Sequence, residues 1–435
     1  MATEHGSHED LMRSYDRIEL SGADALSLHQ AGDITRYRFR RIARLPDRST
    51  LASPGQDPDP VVNFDTLWQL FDEHYAFFDL HGVDWQDVYR RQRPRVSTTM
   101  AAPDLFAILR EMLELFDDGH VTLAAPGRFH QRMRNVHLRQ AMQATFGTSN
   151  GRVTPRTTVD AISARIEDIL LAPFETTRTP LKRACNDILS WCELQPAIGY
   201  LSVLRLFGFA ATDAARQAND LPHARRAVAD FLRDDLVALE TALDAILHDF
   251  RQCRGVILDL RINGGGFDRA GLAIASRFAD RRWLAFSKRA RDGDGFTPEQ
   301  PIHVEPGRNP CNAPIVILTS PLCVSAGEIF TLAMRALPQV TVMGQNTAGM
   351  LSDNLNKLLP NGWELSLSNE IYTSGDGQVF EGRGIVPDVP AAVTDARQFV
   401  PALRTSLRAA VDLLQAGAPI PARRHDSMTR IRNHP

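Results

Sequence analysis

Apolar residues recur at helical spacing in FDTLWQLFDEHYAFF, where Phe64, Leu67, Leu70 and Phe71 share a face, and in PDLFAILREMLELF, where Leu105, Ile108, Leu109 and Met112 do. Such a stripe predicts amphipathic helices packed through that face. Further on the period changes. AIGYLSVLRLFGF, 197–209, has the β-branched and aromatic content of a strand, and residues from about 222 to 251 return to helical spacing. The apolar runs GVILDLR, PIVILTS and QVTVMG are then separated by the helical stretches DRAGLAIASRFA and EIFTLAMRAL. Strand and helix in alternation predict an α/β layer architecture. LNKLLPNGWELSLSNEIYT predicts a hairpin around Asn361-Gly362, and 394–415 a closing amphipathic helix.

Turn-rich and charged stretches divide these elements. An N-terminal arm, 1–60, closes with SPGQDPDP, and a helical subdomain, 61–125, ends in the motif DDGHV. An Arg-rich insertion or linker, 126–196, has a turn at GTSNGRVTPRT; the α/β core follows at 197–395. A C-terminal helix, 396–417, and a basic tail, 418–435, expected to be disordered, complete the chain.

Composition narrows the functions. With 43% hydrophobic and 23% charged residues the chain reads as globular, and 49 basic against 52 acidic residues give no sign of a nucleic-acid partner. Five cysteines without a CxxC pair read as reduced core thiols and suggest neither a disulfide framework nor a zinc site; no metal and no cofactor is expected. The start MATEHGSHEDLMRSYDRIEL has no basic segment followed by an apolar one, and no apolar run approaches a membrane span. A cytoplasmic protein is expected, periplasmic or secreted only if a leader was removed. The sequence leaves oligomeric state open.

Candidate chemistry gathers at PIVILTSPLCVSAGEIF. Ser325 follows a buried strand and opens a helix, so free backbone amides and the positive end of the helix dipole surround it. Ser-x-x-Glu with Glu328 is also a capping box, and on local sequence alone Ser325 reads as a cap rather than a nucleophile. A nucleophile needs a base. His120 stands in a turn-to-strand junction behind Asp117-Asp118 and Gly119, where a surface histidine would also fit. Gly264, Gly265 and Gly266, in LDLRINGGGF, leave backbone open to a peptide or form a tight β-to-α turn; they match no dinucleotide or phosphate-loop pattern. Neither G-x-S-x-G nor Ser-x-x-Lys occurs at Ser325. Arg128, Arg132, Arg134 and Arg139 could receive a substrate carboxylate, or form a solvated face.

DDGHV, IGYLSV, GVILDLRINGGG, LTSPLCVSAGEIF and FEGRGIVPDV, in that order, resemble the motifs of the C-terminal processing (tail-specific) serine peptidase family. The likeness covers roughly 60–395 and is greatest to the branch of the tricorn protease core and the interphotoreceptor retinoid-binding protein. It implies an α/β fold of the crotonase-like (ClpP/crotonase) β-β-α spiral type behind an N-terminal helical subdomain; no PDZ-like segment is found between His120 and the Gly-rich turn. It implies a serine-type peptidase acting on peptide or unfolded protein substrates, with Ser325 as nucleophile and His120 as general base. Glu381 would support the histidine, while Ala326 and the Gly264–Gly266 turn would supply oxyanion donors.

Two departures qualify the match. Met350 stands where Ser/Lys members carry their lysine, so a Ser/Lys dyad is not expected. Gly119 stands where the tricorn-type tetrad has a serine. A catalytically weak or inactive binding protein for an apolar ligand or peptide, and a hydrolase of small esters or amides, are the alternatives.

Overall fold

The computed structural model describes residues 17–29, 37–41, 59–132, 134–146, 165, 167–210, 225–391 and 397–417. The tail 418–435, the turn at 147–157 and much of the N-terminal arm lie outside the described residues. The chain forms two compact units: Met1–Arg134, Lys288–Gln300 and Ser352–Tyr372 make the first, and Asn135–Ser287, Pro301–Leu351 and Thr373–Pro435 the second.

In the first unit, α1 (Pro60–His74) begins where the Asp59 side chain accepts the Val61 N–H at 2.9 Å, with proline pre-set at its first position. It buries Phe64, Leu67 and Phe71 of the predicted stripe, while Leu70, at its edge, is only half-buried. In α2 (Ala102–Leu113) Leu105, Ile108, Leu109 and Met112 are likewise buried. A four-stranded antiparallel sheet backs these helices, in the order Asn354–Leu358, Glu364–Ser368, Thr122–Ala125, Arg128–Gln131. The first two strands form the hairpin expected at Asn361-Gly362, with Gly362 at φ 83°. Arg17–Ser21, Ala25–His29 and Tyr37–Arg40 form a separate three-stranded antiparallel sheet in the arm.

The second unit is α/β. Its sheet has seven strands that neighbour one another in chain order: β1 (Lys182–Ala184), β2 (Leu189–Gln195), β3 (Ile198–Val203), β4 (Gly255–Asp259), β5 (Ile315–Thr319), β6 (Val340–Gly344) and β7 (Val389–Pro390). β1 to β3 pair antiparallel, and β3 to β7 parallel. β3 to β6 are buried at every residue, which is why they read as continuous apolar runs rather than alternating ones. Helices α3 (Arg225–Asp249), α4 (Asp268–Ala275) and α5 (Ala326–Arg335) carry the crossovers, and α6 (Phe399–Ala416) packs on β4, β5 and β6. β1 and β2 come from the stretch read as an insertion. Among the described residues no helix is long and apolar enough to cross a membrane.

Candidate active site

In the second unit, β5 ends at Thr319 and Ser325 caps α5 with φ 54° and ψ −129°. A positive φ costs a non-glycine residue roughly 1–3 kcal/mol and persists only where the surroundings impose it. A strained serine on a strand–turn–helix junction is the arrangement of a nucleophile elbow, reached here without the G-x-S-x-G motif. Ala326 is the first residue of α5, and its N–H has no partner among the described residues.

The cap is built, but not mainly by the serine hydroxyl. Ser325 and Glu328 stand in the capping-box relation, yet the Glu328 N–H also lies 2.7 Å from the Ser325 carbonyl oxygen, which we take as its stronger acceptor. In the other direction the Glu328 carboxylate accepts the Ser325 N–H at 3.2 Å. The same fully buried carboxylate accepts the N–H groups of Gly349 and Met350, each at 2.8 Å, and the Thr347 hydroxyl at 2.5 Å. Glu328 thus ties the serine turn to the segment 347–350, from which the Met350 carbonyl accepts the Ser325 N–H at 3.1 Å. The sequence showed Glu328 only as a capping residue.

Burial pushes the Glu328 pKa from its ordinary 4.5 up to about 7, against the pull of these four donors. A folded-state pKa above the unfolded one means that the fold binds a proton more tightly, so this group's contribution to stability falls as pH rises from about 4.5 to about 7. Glu328→Gln is expected to lack that slope. At pH 8 it should also cost about 1–3 kcal/mol, because its NH2 would face groups that are themselves donors. Denaturant titrations of both proteins between pH 4.5 and 8 check it; parallel pH profiles would refute the assignment.

The glycine turn lies against the serine. A side chain on Gly265 would begin 2.8 Å from the Ser325 Cβ and 3.5 Å from its Oγ, so only glycine lets the two segments meet. The three N–H groups of the turn are not equivalent. Gly264 donates to the Leu204 carbonyl at 2.9 Å, and Gly265 to the Asn263 side chain at 2.9 Å. Leu206 bridges to both sides of Gly266, at Gly265 and Phe267, which leaves the Gly266 N–H without a partner among the described residues.

Glu381 is also in the second unit and is buried; its Oε2 accepts the Leu351 N–H at 2.8 Å. The loop around it is laced to 347–349: Gly382 donates to the Gly349 carbonyl at 2.9 Å, and Ile385 to the Thr347 hydroxyl at 2.7 Å. Met350, in place of a lysine, donates its backbone N–H to Glu328. Burial, and then the Glu328 charge, push the Cys323 thiol far up, away from the thiolate.

His120 belongs to the first unit and is 7% exposed. Burial lowers its pKa from the usual 6.5, opposed by the charges of Asp118 and Asp353 and by the Ser352 backbone, which faces the ring. Its Nδ1 is buried without a well-formed hydrogen bond among the described residues. Arg132 and Arg134 pair with Asp117 at 3.2 and 3.3 Å, so a substrate carboxylate would have to compete with that partner. Among the described residues no group of acidic, histidine or cysteine side chains could hold a metal ion.

Residues 228–391 match peptidase family S41, and 58–114 match the tricorn protease C1 domain. A candidate peptidase from Parabacteroides merdae ATCC 43184, known by its crystal structure, is similar with a TM-score of 0.62 and 28% identity, over 83% of this chain and 98% of that one. The chloroplastic carboxyl-terminal-processing peptidase 3 of Arabidopsis thaliana is 28% identical over 178 residues, 41% of this chain and 33% of the relative. The carboxy-terminal processing protease CtpA of Bacillus subtilis (strain 168) is 26% identical over 157 residues, 36% and 32% of the two chains. The alignments thus span about a third of each curated relative's length. The chain thus carries one region, 228–391, that matches peptidase family S41, a family of serine proteases, and another, 58–114, that matches the tricorn protease C1 domain, and it is similar over part of its length to carboxy-terminal processing proteases.

Proposed function

We propose that this protein is a serine peptidase of the C-terminal processing and tricorn-core type, cleaving peptides or unfolded proteins through an acyl-enzyme on Ser325. The observation that carries the reading is the setting of Ser325: a strained turn, glycine backbone packed against its Cβ, and at the head of α5 an Ala326 N–H without a partner among the described residues.

In this mechanism His120 takes the hydroxyl proton as the Ser325 Oγ attacks the scissile carbonyl. The carbonyl oxygen becomes an oxyanion held by backbone N–H groups. Ala326 is one donor. Of the turn Gly264–Gly266, Gly266 is the member whose N–H has no partner among the described residues. Collapse of the intermediate breaks the C–N bond, and the His120 imidazolium gives its proton to the leaving amine. Water, deprotonated by His120, then hydrolyses the ester, releasing a carboxylic acid and restoring the serine. Glu381, whose carboxylate accepts the Leu351 N–H, is the group assigned in this reading to support the base. The scaffold in this reading is the crotonase-like β-β-α spiral, without a PDZ domain, and neither metal nor cofactor takes part.

A peptide-library digest tests the function. Products should appear with the protein alone and vanish after treatment with a fluorophosphonate; cleavage that is indifferent to the reagent would exclude a serine acyl-enzyme.

A further inference from the structure

The turn that presents His120 is held from beneath. Asp118 is 3% exposed; its Oδ1 accepts the His120 backbone N–H at 2.8 Å and its Oδ2 accepts the Tyr75 hydroxyl at 3.0 Å. Gly119, between them, has no side chain to contribute, and its carbonyl accepts the Gln131 side-chain N–H at 2.6 Å. Tyr75 is itself fully buried and packs against the rings of Phe71, Phe77, Phe78 and Phe116, so its hydroxyl has little freedom.

The charges nearby point the same way. Asp117 takes Arg132 and Arg134, while among the described residues no lysine or arginine forms an ion pair with Asp118. A buried carboxylate with hydrogen-bond donors but no cation is completed when a neighbouring imidazole gains a proton. Asp118 and the exposed Asp353 are the carboxylates whose charge acts on the His120 ring. His81, stacked on Tyr75, also lies in the field of Asp118 and Asp117 and of Arg134 and Arg132.

We infer that Asp118 is a positioning residue for His120, fixing its backbone and favouring its imidazolium, and that Tyr75 holds Asp118 in that role. The inference rests on the reading of His120 as the base. Its physical half can be judged apart from catalysis.

Asp118→Asn keeps the shape and one acceptor but removes the charge. In the full chain, with histidines isotopically labelled, the NMR titration midpoint of His120 should move to lower pH, and the acid limb of kcat/KM should move with it. The turnover number should fall about 10- to 100-fold at unchanged KM, the scale of a misplaced or unsupported catalytic group. A midpoint equal to that of the unsubstituted protein would overturn the inference, as would a loss confined to KM. Should Asp118→Asn not fold, Tyr75→Phe deletes only the phenol oxygen: kcat should fall severalfold with KM unchanged, and an unchanged kcat overturns the inference. His120→Ala separates the two claims. Full activity in that variant would remove His120 as base, whereas the NMR midpoint of Asp118→Asn still decides whether Asp118 acts on the ring.

Discussion

Ser325→Ala is expected to abolish fluorophosphonate labelling and to lower peptide hydrolysis by about 10⁴-fold or more, in a protein that still folds. The hydrogen bonds that hold the turn run mainly through the serine backbone: its N–H goes to the Met350 carbonyl and the Glu328 carboxylate, and its carbonyl receives the N–H groups of Glu328 and Ile329. Alanine keeps all of these, and adopts the same strained φ at similar cost. The stability change should therefore stay near the 1 kcal/mol typical of a lost cap side chain, read by thermal unfolding beside the labelling assay. Labelling that persists in the variant would remove Ser325 as nucleophile. A variant that loses activity only through unfolding would instead make the hydroxyl a structural cap.

That pair of outcomes is the question the sequence raised, and the structure shows why local sequence could not answer it. Ser-x-x-Glu ahead of an apolar helix is the same string whether the serine hydroxyl closes the cap or faces a cleft. What separates the two is the backbone: φ 54° at Ser325 and the Gly265 backbone packed on its Cβ. The second depends on residues about 60 positions upstream.

The elements that are local in sequence were legible. The stripes of α1 and α2 follow from the 3.6-residue period, and β3 to β6 from apolar runs with turn signals at their ends. The hairpin at Asn361-Gly362 follows from its turn dipeptide. Partnerships distant in sequence were not. Glu364–Ser368 pairs with Thr122–Ala125, joining the hairpin to the motif that carries His120, and no periodicity encodes which strand a strand adopts as neighbour. Glu328 looked like a cap because its contacts with 347–350 are invisible before the chain folds. Likewise, three consecutive glycines are equivalent as letters. Only their hydrogen bonds single out Gly266 as the one whose N–H has no partner among the described residues.

The second large effect is expected at Arg261, in the run LDLRINGGG just before the glycine turn. Its guanidinium is 2% exposed and grips the buried Asp259 at both oxygens, with Nε to Oδ1 at 2.8 Å. It also donates to the Ser406 hydroxyl of α6 at 2.7 Å and to the Leu403 carbonyl. Asp259 receives the Tyr200 hydroxyl from β3 at 3.0 Å, and the Arg261 carbonyl accepts the Ser320 hydroxyl at the end of β5. One side chain pair thus links β3, β4, α6 and the loop that leads to Ser325. Arg261→Met should cost about 3–5 kcal/mol, the scale on which a buried pair is broken by removing one partner. Most of that cost is the carboxylate left buried without a cation. If so, adding Asp259→Leu to Arg261→Met should recover part of the loss, since an apolar pair leaves no uncompensated charge. Arg261→Lys should not rescue, because a single ammonium cannot reproduce the two-pronged contact and the bonds to α6. Urea unfolding gives the measurement, as a lower midpoint at unchanged slope. A loss below about 1 kcal/mol for Arg261→Met, or a double variant weaker than the single one, would mean that the pair is held by its surroundings and not the reverse.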